Sequence, residues 1–135
     1  MLYYFDSSAL VKIFLAEPEQ QVFSSWLANQ SGRKVCSALV LTEVKRAIRK
    51  GAIDEARRSG LLDLDVALDG FSIAPISESI LKRAGQLEPL GLRSLDAIHL
   101  ATALALQPEL DGLVTYDNRL AEAARFHGIK VVQPG

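Results

Sequence analysis

The chain has 135 residues, of which 49% are hydrophobic and 23% charged, so it can close one core and does not have the composition of a disordered chain. Its net charge of −1 gives no overall pull toward nucleic acid, and any such binding needs a local patch. No apolar run approaches the roughly 20 residues that span a bilayer, and the single cysteine, Cys36, has no partner for an internal disulfide, which suits a reducing cytoplasm.

Strand-like and helix-like segments alternate along the chain. LYYF at 2–5 reads as a strand cut short by Asp6; with no basic region before it, a signal peptide is not expected. SALVKIFLA at 8–16 has helical period, and Pro18 opens a second helix over 18–30 that Gly32 ends. KVCS at 34–37 is a second strand, and 39–50 is a helix with Gly51 as its stop. A weaker helix over 54–70, broken at Gly60, leads to a third strand at 71–76 and a helical stretch at 77–91. SLDAIHLATALALQ at 94–107 is apolar around nearly its whole circumference, which predicts a buried helix. GLVTYD at 112–117 is a fourth strand, 118–128 a final helix and IKVV at 129–132 a fifth strand. This alternation predicts a three-layer α/β/α sandwich with a central parallel sheet of about five strands, in a single domain over 1–135. Ligands of such sheets gather outside the carboxyl ends of the strands, near the point where strand order reverses.

Most of the 16 acidic residues have polar neighbours and read as solvated charges or helix caps. Four stand apart. Asp6 and Asp117 terminate strands; Glu43 lies on or beside the apolar stripe of its helix; Asp96 sits in a helix with almost no polar face. Each also has a plainer reading. Asp6 and Asp117 could cap the helices that follow them, Asp96 could occupy a first turn where the helix dipole favours an anion, and Glu43 could pair with Arg46 or Lys50. Together, two of the four end strands and two lie near the starts of helices entering that same edge. Two carboxylates about 5 Å apart repel by about 3 kcal/mol at an effective dielectric of about 20. A cluster of four must take up protons or hold a cation.

Oxygen ligands without a cysteine cluster favour a hard ion, Mg²⁺ or Mn²⁺, over zinc. Neither His99 nor His127 has zinc-ligand spacing. His127, before Gly128, reads as a helix C-cap, and His99, one turn after Asp96, as a packed neighbour or a group behind the acids. There is no GxGxxG after a strand, no Walker loop and no GxSxG elbow. Cys36, in an apolar segment, reads as inert rather than nucleophilic.

DSSALVKIFLAEPE at 6–19, LTEVKRAI at 41–48, LRSLDAIHLATAL at 92–104 and LVTYDNRLAEAARFHGIKVVQPG at 113–135 resemble the PIN domain family, and most of all its VapC-type toxins. The resemblance covers nearly the whole chain, in order and at the family's spacing. It implies that Asp6, Glu43, Asp96 and Asp117 form the catalytic and metal-binding quartet for Mg²⁺, with Mn²⁺ an alternative. Asp6 and Asp96 would be the principal ligands, and Glu43 and Asp117 would complete the pocket directly or through water. Ser7, Thr115 and Asn118 fall where the family places smaller polar groups that orient ligands or water. The resemblance further implies single-strand ribonuclease activity, a small cognate antitoxin, homodimers and larger toxin–antitoxin assemblies.

Lys45, Arg46, Arg49 and Lys50 share one flank of the helix bearing Glu43, followed by Arg57 and Arg58, while Lys12, Arg93 and Arg119 lie near acidic candidates. These read as phosphate contacts for RNA, or equally, for 45–58, as a solvated face. Tyr116 could stack a base or join the core. Phe23, Trp26 and Leu27 read as a core stripe or, with 60–70, as a groove for an antitoxin helix. A non-cleaving PIN-fold module that binds RNA or protein is the alternative to an enzyme, although a pure binder has no use for clustered carboxylates. A phospho-accepting or phosphatase domain is a third reading, and it would not need Glu43 and Asp117 together.

Overall fold

The computed structural model describes residues 1–12, 18–50 and 64–135. Strands β1 (Leu2–Phe5), β2 (Arg33–Ser37), β3 (Phe71–Ala74), β4 (Gly112–Val114) and β5 (Val131–Val132) form one sheet in the order β3-β2-β1-β4-β5. Every neighbouring pair is parallel. The described helices are α1 (Ser7–Val11), α2 (Pro18–Ala28), α3 (Val40–Lys50), α4 (Leu64–Ala67), α5 (Glu78–Ala84), α6 (Ser94–Leu104) and α7 (Asn118–Phe126).

All four residues of β1 are buried, which is why LYYF shows no polar alternation. Tyr3 and Phe5 face a core built with Leu10 of α1, Phe23 of α2, Val40, Val44 and Ile48 of α3 and Leu64 of α4. Leu2 and Tyr4 face the opposite core, with Leu100 and Ala103 of α6 and Leu120, Ala123 and Ala124 of α7. α5 packs its Ala84 on Ala97 and Ala101 of α6, covering the remaining side of that helix. Three layers result, as the alternation predicts. Close approach is needed at Gly112, where a Cβ would stand 3.0 Å from Val132 and 3.2 Å from the Tyr3 ring.

The chain builds β1, β2 and β3 outward in one direction, then returns to place β4 on the other side of β1. Strand order therefore reverses between β1 and β4, and Asp6 and Asp117 leave the sheet on either side of that point.

Several elements are shorter than predicted: β4 stops at Val114 rather than 117, so Asp117 stands three residues past the strand, and β5 starts at Val131 rather than 129. β3 stops at Ala74 because Pro75 has no N–H to donate to a ladder. The helix expected over 77–91 ends at Ala84 with Gly85 as its cap, and α6 ends at Leu104 rather than 107. The later part of the 8–16 helix, Gly51, most of the 54–70 helix, Arg57 and Arg58 lie outside the described residues.

Tyr116 belongs to the core: its ring meets Phe23 edge-on at 5.9 Å, and its hydroxyl donates to the Pro134 carbonyl. Phe23 is fully buried, and Trp26 and Leu27 pack against the same cluster. Leu64 and Leu68 are core residues too. No helix among the described residues is long and apolar enough to cross a membrane.

Candidate active site

Asp6 is 3% exposed where the chain turns from β1 into α1. Its Oδ1 accepts the Ala9 amide at 3.0 Å, so Asp6 does cap the helix. The same carboxylate accepts the Ser8 hydroxyl at 2.7 Å and, on Oδ2, the Thr115 hydroxyl at 2.6 Å. Thr115, fully buried just past β4, in turn accepts the Asp117 amide at 3.0 Å. The ends of β1 and β4 are thereby tied across the reversal point. Burial raises the Asp6 carboxyl above its ordinary range, against hydrogen bonds from Thr115 and Ser8 that pull it down.

Glu43 stands in the first turn of α3, beside the buried stripe of Val40, Val44 and Ile48. It pairs with neither Arg46 nor Lys50 but with His99: Nε2 of the ring lies 2.7 Å from Oε1. The Ser7 hydroxyl donates to the same oxygen at 2.7 Å. On the far side of the ring, the Tyr4 hydroxyl lies 2.6 Å from Nδ1. Burial alone would raise the Glu43 carboxyl, but the hydrogen bonds from His99 and Ser7 outweigh it and hold it below its ordinary range. His99 is the functional candidate that the sequence reading left undecided. Its signal was an imidazole, one turn from Asp96, in a helix otherwise nearly free of polar side chains.

Asp117 caps α7, its Oδ1 accepting the amides of Arg119 at 2.9 Å and Leu120 at 3.1 Å. Its Oδ2 is 3.8 Å from Nη2 of Arg93, whose Nε is 3.6 Å from Oδ2 of Asp96. Arg93 thus spans two of the four acids from a largely exposed position. Burial raises the Asp96 carboxyl, and the neighbouring charge of Asp117 raises it further. Glu43, Arg93, Ser94, Leu95, Asp96 and Asp117 line one cleft of about 350 Å³.

Among the described residues, no three Asp, Glu, His or Cys side chains already stand grouped as a metal cage. Glu43 is hydrogen-bonded to His99 and Asp6 to Ser8 and Thr115, while Asp96 and Asp117 face Arg93 as ion pairs. The chemistry of the donor set nevertheless fits a hard dication. The donors on offer are carboxylate oxygens, and the acids with raised values, Asp6 and Asp96, are those that a bound positive charge would relieve.

The remaining predicted positions divide. Ser7 and Thr115 are in the group, on Glu43 and Asp6 respectively. Asn118 is exposed at the start of α7 and takes no part in these hydrogen bonds. The Lys12 ammonium lies 4.9 Å from the centre of the Tyr116 ring. Arg119 is exposed beside a separate depression that it shares with Leu92 and Phe126. Lys45 is exposed on α3, and Arg46 lines a basic hollow with Arg49 and Lys50, apart from the acidic cleft. Cys36 is fully buried and its thiol is pushed up to about 11, as expected of an inert residue. His127 is the C-cap of α7.

The family profile described as PIN domain matches residues 3–126. Ribonuclease VapC47 of Mycobacterium tuberculosis is 39% identical, over 98% of this chain and 96% of the relative. A toxin–antitoxin complex from Klebsiella pneumoniae superposes with a TM-score of 0.69 at 25% identity, covering 98% of both chains. VapC20 of Mycobacterium tuberculosis, a sarcin–ricin loop cleaving toxin, superposes with a TM-score of 0.73 over 98% and 99% of the two chains; at 13% identity it speaks for the fold alone. The chain therefore belongs to the PIN domain family and, within it, to the VapC type.

Proposed function

We propose that this protein is a metal-dependent endoribonuclease, a single PIN domain acting as the toxin of a toxin–antitoxin pair in the cytoplasm. The observation that carries the reading is the arrival of four acids from four separate places in the chain at one edge of the sheet. Asp6 and Asp96 are the principal ligands of Mg²⁺, for which Mn²⁺ can substitute, and Glu43 and Asp117 complete the set. Ser7 and Thr115 hold Glu43 and Asp6 in position. A dication bound there supplies an activated water and a counter-charge for the phosphoryl group, so hydrolysis needs no covalent enzyme intermediate. Arg93 and Arg119 draw RNA phosphates to the cleft, with Lys12, Lys45 and Arg46 contributing charge farther out. The relative named Ribonuclease VapC47 supports the reaction, and the Klebsiella toxin–antitoxin complex supports a small cognate antitoxin as partner. Homodimers and larger toxin–antitoxin assemblies are part of the same reading.

One observation favours a second reading. Arg93 already offsets part of the charge of Asp96 and Asp117, as it could in a PIN-fold module that binds RNA or protein without cutting it. Incubating antitoxin-free wild type and Asp6→Asn with a mixed RNA pool, in Mg²⁺ or EDTA, separates the two. Cleavage by wild type in Mg²⁺ alone is the expected result. Intact RNA throughout would favour the binding module, and equal cleavage by the variant would remove Asp6 from the chemistry.

A further inference from the structure

We propose that His99 is the positioning residue for Glu43, and that α6 thereby sets two of the four acids: Asp96 directly and Glu43 through the imidazole. The inference rests on the metal-site reading above.

The ring has no freedom to do anything else. It is 2% exposed, and both nitrogens are engaged, Nε2 at 2.7 Å from Glu43 and Nδ1 at 2.6 Å from Tyr4. A ring so placed offers no nitrogen to a metal ion or an attacking water. The proton at one of its nitrogens follows from its partner. A carboxylate only accepts, so the proton at the Glu43 contact resides on Nε2. Tyr4, fully buried and kept protonated by that burial, holds Nδ1 from the other side of the ring.

The contact also joins the two layers of helices. Tyr4 and α6 share the core on one face of the sheet, while α3 and α1 belong to the core on the other. The chain Tyr4–His99–Glu43–Ser7 crosses between them at the sheet edge, with links of 2.6, 2.7 and 2.7 Å. Glu43 has a long, rotatable side chain that is 24% exposed. Ser7 alone would fix one oxygen by one bond; His99 adds a second donor on a ring that Tyr4 and the core prevent from turning. Metal sites commonly depend on such supporting partners for ligand orientation.

The test uses metal-free protein and Mg²⁺. In a spectrum of ¹⁵N-histidine-labelled wild type without metal, the His99 ring shows a protonated, slowly exchanging Nε2, and Glu43→Ala makes that proton exchange fast. By calorimetry, His99→Leu weakens Mg²⁺ binding by about tenfold or more. His99→Gln, which returns an N–H donor to the site, restores most of the loss. Unchanged Mg²⁺ affinity in a folded His99→Leu would overturn the proposal, as would a His99→Gln variant no better than His99→Leu. If His99→Leu does not fold, Tyr4→Phe takes its place and must show a smaller loss. Absence of Mg²⁺ binding by wild type would remove the metal site itself, and the imidazole spectrum would then decide the His99–Glu43 pairing alone.

Discussion

Asp6 and Glu43 are held by hydroxyls and an imidazole at 2.6–2.7 Å, whereas Asp96 and Asp117 share one exposed guanidinium at 3.6 and 3.8 Å. The first pair is locked by short hydrogen bonds, and leaving a buried polar group such as Asp6 unpaired costs about 1–3 kcal/mol. The second meets Arg93 through charge, on a guanidinium that is itself largely exposed, where an ion pair is worth about 0–1 kcal/mol. The inner half, Asp6 and Glu43, is therefore fixed by hydrogen bonds, whereas in the outer half the contacts to Arg93 can break while Asp117 keeps its cap on α7. Arg93 can leave both acids at little expense.

Breaking the inner half should have the largest effect. Asp6→Asn keeps a side-chain oxygen to cap α1 and so should fold, yet it removes a principal ligand. With several kcal/mol of charge stabilisation at stake, RNA cleavage should fall by at least about a thousand-fold in a single-turnover assay. Thr115→Val should come next. It deprives the buried Asp6 of its shortest hydrogen bond and the Asp117 amide of its acceptor, lowering stability by about 1–3 kcal/mol in thermal unfolding. Arg93→Ala should be the mildest, changing metal-free stability by less than about 1 kcal/mol while tightening Mg²⁺ binding, because the guanidinium no longer competes. An Arg93→Ala variant as unstable as Thr115→Val would erase the contrast between the halves.

The pH dependence sharpens it within single residues. Asp6 and Asp96 have folded values raised above their unfolded ones, so the folded state holds their protons more tightly. Their contribution to metal-free stability therefore improves as pH falls through the raised values and is a penalty above them. Glu43 has a lowered value, and its contribution is present above the ordinary glutamate range and lost as pH falls through the depressed one. Asp96→Asn should thus raise the unfolding midpoint of metal-free protein slightly at neutral pH, while Glu43→Gln should lower it. Mg²⁺ affinity should decline with acidification, since protons compete for Asp6 and Asp96.

Much of this was legible in the sequence because β1 is so uniformly apolar that a carboxylate at its end needs a reason. For Asp6 and Asp117 the capping and site readings could not be separated, since one oxygen of each does cap a helix while the other faces Thr115 or Arg93. The role of His99 was hidden for another reason: its partners Glu43 and Tyr4 are 56 and 95 residues away, and no local pattern encodes such a contact. Arg93 read as a phosphate contact, yet in the fold it also serves as the counter-ion that two acids share. Tyr116 was undecidable because 112–117 reads as one strand, whereas β4 ends at Val114 and the ring, in the loop beyond it, packs against Phe23.

The most direct test is a crystal of the wild-type protein soaked in Mn²⁺, with the ion located by its anomalous signal. A peak bound by Asp6 and Asp96, with Arg93 turned away from Asp96 and Asp117, is the predicted result. A cleft without a peak, or with Arg93 still seated between the two acids while Mn²⁺ binds elsewhere, would contradict the account.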